Sequence, residues 1–141
     1  MIRVVVDTNI LVSLLYNRRG AEAGIIGLIR KDVLLPCISY TISLEYADVL
    51  HRPKHKFLLA DVVELIALFE ALGRLSLAAT VAIQDVQSSP DPDDTKFIAC
   101  AVADGARYLV TGNRRHFPDA AYGTAEVVSA CQLLDQLAAP P

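Results

Sequence analysis

The chain has 141 residues, of which 53% are hydrophobic, 6% aromatic and 21% charged, and its formal net charge is −3. This length predicts one domain with a substantial core, and the composition excludes a disordered tail. No apolar run reaches the ~18 residues of a membrane span, and a strand-like run begins at Ile2, so we expect a cytoplasmic protein without a signal peptide.

Predicted strands and helices alternate along the chain. The β-branched run Ile2–Val6 predicts a strand buried on both faces, and a short helix at residues 9–16 follows it. Further helices are predicted at residues 18–32, 40–52, 59–75, 95–106 and 131–139, and further strands at residues 33–39, 107–111 and 125–130. This order predicts an α/β fold, with a central, mostly parallel sheet of four to five strands flanked by helices, in a single domain over residues 1–141.

Asp7 interrupts the apolar run at residues 4–12. Burying a lone carboxylate costs free energy unless another group pairs with it. In open parallel sheets, ligands bind beyond the carboxyl ends of the strands, and Asp7 follows the first strand. We therefore expect Asp7 to face a crevice at that edge of the sheet.

Two more polar residues have positions that would bring them to the same edge. Glu45 lies one helical turn from Ile42 and Val49, on the border of an apolar stripe. An ordinary flanking glutamate, or an ion pair with a basic residue, also fits that position. Asn113 follows the strand at residues 107–111, where its carbonyl oxygen could bind a cation, although a Gly-Asn turn fits equally.

Acidic residues gather before the predicted helix at residues 95–106. Asp91 is a good N-cap and Pro92 suits the first helical position, which would extend the helix back to residue 92 and place Asp93 and Asp94 in its first turn, where negative charge suits the helix dipole. This explains why acids occur here, but not the orientation of Asp94. Asp94 shares a helix face with Phe97 and Ile98, which are predicted to be buried, and it is therefore a candidate metal ligand.

Carboxylates that meet within ~6 Å repel one another and raise one another's pKa values, and a bound divalent cation removes that cost. Carboxylate oxygens suit Mg²⁺ and Mn²⁺. Such a site can activate water and stabilise charge on a phosphoryl group. Asp7, Glu45 and Asp94 therefore predict a hard-cation site.

Three stretches, in this order, resemble the PIN-domain family: DTNILVS at residues 7–13, SLEYADVLHRP at residues 43–53 and DPDDTKFIACAVADGARYLVTGNRRHFP at residues 91–118. The resemblance extends over residues 2–137 and is greatest to the VapC-like toxins of toxin–antitoxin systems. It implies a PIN-like three-layer fold and an Mg²⁺- or Mn²⁺-dependent endoribonuclease that hydrolyses RNA phosphodiester bonds. It also implies a cognate antitoxin protein as partner and a homodimer.

The resemblance also implies roles for individual residues. The family's first three acids match Asp7, Glu45 and Asp94, which would be the catalytic and metal-binding residues. The fourth acid commonly follows the third core strand, where this chain has Asn113 instead. Asn113 and Asp91 are therefore further candidate ligands.

RNA must also be held against this acidic site, normally by cations that bind its phosphates. Basic residues cluster at residues 51–56 and at Arg114 and Arg115, and solvated surface charge is the other explanation for both clusters. Beside the acidic site we favour Arg114 and Arg115 as RNA contacts. Thr8 and Asn9, which match polar residues after the family's first acid, are further candidates.

Two rival functions remain open. A phosphatase of the haloacid dehalogenase type also begins with an aspartate after a strand, but it needs a second aspartate two residues later, where this chain has Asn9. A catalytically weak or inactive PIN-like module that binds RNA or protein is the stronger rival, because Asn113 replaces an acid.

Overall fold

The structure is a computed structural model, and it describes residues 1–76 and 92–138. The predicted N-cap Asp91 lies outside these residues. The strands of the described part are β1 (Ile2–Val6), β2 (Leu34–Ile38), β3 (Arg74–Leu75), β4 (Tyr108–Val110), β5 (Ala121–Tyr122) and β6 (Ala125–Val128). The helices are α1 (Thr8–Tyr16), α2 (Ala21–Arg30), α3 (Tyr40–Leu50), α4 (Leu59–Leu72), α5 (Thr95–Ala103) and α6 (Ala130–Ala138).

The strands form one sheet in the order β3-β2-β1-β4-β6-β5. All neighbouring strands run parallel except β5 and β6, which are antiparallel. The predicted mostly parallel sheet flanked by helices is therefore confirmed, but its predicted number of strands is wrong, since the described residues form six. The two strands missing from the prediction, β3 and β5, have two residues each and are too short for a side-chain period to reveal them.

The core lies around β1, whose residues Val4, Val5 and Val6 are fully buried. A strand covered on both faces explains why this stretch is continuously apolar rather than alternating. Among the described residues, no helix combines the length and the apolar character that crossing a bilayer requires.

The start of α5 differs from the sequence prediction. Pro92–Asp94 forms a single 3₁₀-helical turn, and the α-helix begins only at Thr95. Asp94 therefore precedes the α-helix rather than lying within its first turn. The other end is as predicted, because Gly105 has a positive φ of 60°, a conformation that glycine adopts without strain.

The order of the strands creates a switch point between β1 and β4. From β1 the chain continues to β2 and β3 on one side, whereas β4 and β6 lie on the other side. Ligands of open α/β sheets bind in the crevice at such a point, beyond the carboxyl ends of the strands. Asp7 and Thr111 are the residues that follow these two neighbouring strands.

Tyr46 anchors α3 to this edge of the sheet. Its side chain is buried, and its hydroxyl donates a hydrogen bond to the backbone carbonyl of Val6, the last residue of β1. The ring also packs edge-on against Phe69 of α4. Tyr46 thereby fixes the position of its neighbour Glu45 relative to Asp7.

Replacing this tyrosine tests the anchor. We expect Tyr46→Phe to lower the free energy of unfolding by ~1–3 kcal/mol, because the buried carbonyl of Val6 loses its donor. Urea unfolding followed by circular dichroism measures the loss. The matched control is Tyr40→Phe on the same helix, whose side chain is 71% exposed and which should change stability by less than ~0.5 kcal/mol. Equal stability of Tyr46→Phe and the parent would contradict the anchor.

Candidate active site

Asp7 is held at the switch point by both its backbone and its side chain. Its backbone N–H donates to the carbonyl of Val110 at 2.9 Å, which continues the pairing of β1 with β4. Its carboxylate oxygen Oδ2 accepts a hydrogen bond from the Thr111 hydroxyl at 2.8 Å. Asp7 is only 4% exposed, so these contacts hold a carboxylate that water can barely reach.

Burial raises the pKa of Asp7 from 3.8 to about 6. The hydrogen bond from Thr111 opposes this increase, whereas the negative charges of Asp94 and Glu45 add to it. Both of these carboxylates therefore act on Asp7 through space, although they come from different segments of the chain. The structure brings the three predicted acids to one edge of the sheet.

Glu45 projects from α3 and has two partners. Its Oε2 accepts a hydrogen bond from the Thr8 hydroxyl at the start of α1. Its Oε1 forms an ion pair with Lys96 Nζ at 2.8 Å, and both side chains of this pair are largely buried. The ion-pair explanation of Glu45 is thus correct in this structure, and its partner is a lysine two residues after Asp94.

Asp94 is 8% exposed and is paired with a histidine. His116 Nδ1 lies 2.8 Å from the Asp94 carboxylate, and the other ring nitrogen, Nε2, lies 3.2 Å from the Asn113 side-chain amide. His116 therefore connects a candidate ligand from α5 with the turn after β4.

Asn113 has the geometry of a turn residue. Its side-chain oxygen accepts from the backbone N–H of Arg115 at 3.2 Å, and so caps the 3₁₀-helix Arg114–His116. Its own backbone N–H donates to the Thr111 hydroxyl at 3.0 Å. The oxygen that would bind a cation is thus already hydrogen-bonded, and its role as a ligand stays a prediction.

Thr111 links Asp7 to the turn after β4, a role that the sequence did not reveal. Its hydroxyl donates to Asp7 and accepts from Asn113. The sequence places Thr111 at the carboxyl end of a strand, but its contact with Asp7 follows from the pairing of β1 with β4, which only the structure shows.

The predicted RNA contacts have mixed environments. Thr8 is buried against Glu45, and the Asn9 side-chain oxygen accepts from the backbone N–H of Gly112 at 3.0 Å. The Arg114 guanidinium donates to the backbone carbonyl of Val127 at 2.9 Å. These three side chains hold the fold together at the site, and an RNA contact by any of them stays a prediction. Arg115 is exposed.

Within residues 1–76 and 92–138, no three His, Cys, Asp or Glu side chains are gathered closely enough to enclose a metal ion. Protein donors hold each acid instead: Thr111 holds Asp7, Lys96 holds Glu45 and His116 holds Asp94. The donor chemistry still fits a divalent cation, because the buried, like-charged carboxylates raise the pKa of Asp7 and offer hard oxygen ligands.

Comparisons with known proteins agree with this geometry. A family model described as a PIN domain matches residues 3–115. A chain in the crystal structure of VapBC2 from Rickettsia felis bound to a DNA fragment from their promoter superposes with a TM-score of 0.63. The alignment covers 91% of this chain and 98% of that one at 16% sequence identity, so it shows a shared fold. No curated protein sequence matches the chain significantly.

The raised pKa of Asp7 predicts a pH-dependent penalty on folding. Since the pKa is 3.8 unfolded and about 6 folded, the folded protein binds more protons between these values, and stability falls as the pH rises through this window. The full penalty is ~3 kcal/mol above about pH 7, at ~1.4 kcal/mol per pKa unit. Asp7→Asn removes the charge, and without divalent cations we expect it to be ~1–3 kcal/mol more stable than the parent at about pH 8.

Urea unfolding in EDTA at several pH values measures this effect. The stability gap between Asp7→Asn and the parent should widen from about pH 4 to about pH 6 and then stay constant. The control is Asp32→Asn, an exposed residue in the turn before β2, at the opposite end of the sheet. A gap for Asp7→Asn that does not change with pH would show that the charge of Asp7 carries no folding penalty.

Proposed function

Since the chain belongs to the PIN-domain family, we propose that it is a metal-dependent endoribonuclease and the toxin of a toxin–antitoxin pair. PIN domains are generally nucleases. The observation that carries the proposal is the buried Asp7 at the switch point, whose pKa is raised by burial and by the charges of Asp94 and Glu45. Each of these carboxylates makes ionisation of its neighbours less favourable. The group is therefore better suited to binding a cation than to lying buried without one.

In the proposed reaction, Asp7, Glu45 and Asp94 hold Mg²⁺ or Mn²⁺, and Asn113 and Asp91 are further candidate ligands. The bound cation supplies positive charge that stabilises the phosphoryl group and lowers the pKa of a water molecule. The attacking water would lose a proton to solvent as its oxygen forms a bond to phosphorus, the bond from phosphorus to the 3′-oxygen would break, and that oxygen would take up a proton from solvent. The products carry a 5′-phosphate and a 3′-hydroxyl.

The surrounding side chains position the acids. The Thr111 hydroxyl orients the Asp7 carboxylate, and the His116 ring, whose Nδ1 lies 2.8 Å from the Asp94 carboxylate, positions that of Asp94. Thr8 holds one oxygen of Glu45, which leaves its other oxygen to bind the cation or to orient the attacking water once Lys96 moves away. Lys96 is then free to approach an RNA phosphate.

The proposal includes partners. A toxin that cuts cellular RNA must be kept inactive, so we propose a cognate antitoxin protein. A small antitoxin encoded next to this chain would support it. We also propose a homodimer of this chain and a cytoplasmic location.

A module that binds RNA or protein without cutting it is the second candidate. The observation that favours it is Asn113, a neutral residue at the end of β4 whose side-chain oxygen already caps a turn. A protein of this kind would bind RNA in Mg²⁺ or Mn²⁺ and leave it intact. The cleavage assay below separates the two functions.

We expect the purified protein to cleave RNA in Mg²⁺ or Mn²⁺ and to stop when EDTA is added. Asp94→Asn should lower the cleavage rate at least ~100-fold, because it removes a charged ligand at similar volume. Gel analysis of end-labelled RNA measures the rate and identifies the product ends. Asp32→Asn, purified in parallel, should cleave as the parent does, and loss of cleavage in Asp94→Asn alone then excludes a contaminating nuclease. Equal rates for Asp94→Asn and the parent would remove Asp94 from the site.

Lys96 should weaken cation binding while RNA is absent, because it repels the cation and occupies Glu45 Oε1. We expect Lys96→Gln to bind Mn²⁺ several-fold more tightly, up to about tenfold. Isothermal titration calorimetry measures the affinity, with Lys31→Gln, exposed at the end of α2, as the control that changes charge alone. Weaker binding by Lys96→Gln would mean that Glu45 does not face the cation.

A further inference from the structure

A partly exposed aromatic cluster lies where α1 and α3 end. Tyr16 is the last residue of α1 and is 60% exposed. His55 and Phe57 belong to the short segment between α3 and α4, which begins with the 3₁₀-helix Pro53–His55. We call residues 52–57 together with Tyr16 the aromatic turn.

The rings of the aromatic turn form an ordered arrangement. His55 and Phe57 stack nearly parallel, with centroids 5.0 Å apart and an interplanar angle of 10°. Tyr16 meets both of them edge-on, and its hydroxyl lies 2.7 Å from His55 Nδ1. Between the two stacked rings, Lys56 adopts a positive φ of 55°, which reverses the chain so that residues two apart face each other.

The aromatic turn is also basic. Lys54 and Lys56 are exposed, and in the part of the chain that the structure describes neither forms an ion pair. Arg52 adds a third cation and pairs with Asp48 one turn earlier on α3. These two lysines, which lie beside partly exposed rings, give the surface positive charge and an aromatic face on which a base can stack.

Two cavities that share Arg52 lie along α3, one beside Glu45 and the other beside the aromatic turn. The first has a volume of about 380 Å³, and both Glu45 and Arg52 line it. Arg52 also lines the second cavity of about 220 Å³, together with Lys56 and Phe57. Five residues of helical rise, ~8 Å, separate Glu45 from Leu50, the last residue of α3. A chain bound at the acids can therefore follow α3 to the aromatic turn.

We propose that the aromatic turn is a subsite for single-stranded RNA, where one unpaired base stacks on the exposed Tyr16 ring, which His55 and Phe57 hold in place, and Lys54 and Lys56 bind the adjoining phosphates. The inference rests on the proposed ribonuclease function and adds to it a preference for unpaired RNA beside the cut. It assigns substrate binding to residues 52–57 rather than to Arg114, whose guanidinium is bound to the backbone of β6.

The chemistry of the surface selects this ligand. Base faces are accessible only in unpaired nucleotides, because a duplex buries them in its stack. Aromatic platforms bordered by cations are the usual means of binding single strands. Burial, together with nearby Lys54 and Arg52, lowers the pKa of His55, which favours the neutral imidazole that can accept a hydrogen bond from the Tyr16 hydroxyl at Nδ1.

Fluorescence anisotropy tests the subsite in EDTA, where binding is measured without cleavage. The probes are an unstructured RNA of about ten nucleotides and a matched ribose-phosphate chain that lacks bases. We expect His55→Ala and Tyr16→Ala to weaken binding of the RNA by about 5- to 150-fold and to have little effect on the base-free probe. The double variant Lys54→Gln, Lys56→Asn should weaken binding of both probes.

Salt dependence separates the two contributions. For single strands, the slope of log affinity against log salt changes by ~0.7 for each phosphate contact, so the double lysine variant should flatten it by up to ~1.4. His55→Ala should leave the slope unchanged. Two controls match these changes: Tyr40→Ala removes an exposed ring on another face of α3, and Lys31→Gln removes a distant charge. Circular dichroism confirms that each variant is folded.

Other results would overturn the subsite. It is wrong if the two ring variants bind RNA within about twofold of the parent, or if they lose affinity equally for the base-free probe. Loss of a dimer in Tyr16→Ala, with RNA affinity unchanged, would assign the surface to a protein contact instead. The Mg²⁺ cleavage assay keeps the two proposals apart: a parent that cuts RNA while the ring variants bind normally refutes the subsite alone. A parent that binds through the rings but never cuts refutes the nuclease alone.

Discussion

The site depends on one constraint: the carboxylates of Asp7, Glu45 and Asp94 lie near one another at one edge of the sheet, where they are largely buried. Asp7 is fixed there by the pairing of β1 with β4, because its own backbone N–H belongs to that ladder. The backbone of Asp7 cannot move away without breaking that pairing, and the Thr111 hydroxyl holds its carboxylate. The surrounding segments supply the partners that hold these acids: Thr111 contacts Asp7, Lys96 contacts Glu45, and His116 contacts Asp94.

These donors show which parts of the site the sequence could reveal. Asp7, Glu45 and Asp94 were recognisable because a strand end and two helix faces are local features with a short period. Their partners were not, because Lys96 lies 51 residues from Glu45 and Thr111 lies 104 residues from Asp7. Contacts over such distances depend on the order of strands in the sheet, which a period within one segment does not encode.

The basic residues illustrate the same limit in a different way. Arg114 and residues 51–56 look alike in the sequence, as charged stretches after an element that carries a site residue. The structure separates them, since Arg114 binds the backbone of β6 while Lys54 and Lys56 remain exposed beside aromatic rings. Likewise, the helix prediction at α5 placed its start too early, because the 3₁₀ geometry of Pro92–Asp94 leaves no distinct pattern in three residues.

The strand order also governs when the site can exist during synthesis of the chain. Asp7 is among the first residues made, but its backbone partner Val110 and its side-chain partner Thr111 are made about a hundred residues later. Strand β1 lies between β2 and β4, so one side of it stays unpaired until β4 has left the ribosome. A nascent chain therefore has its first acid but no assembled site until most of the chain has been made.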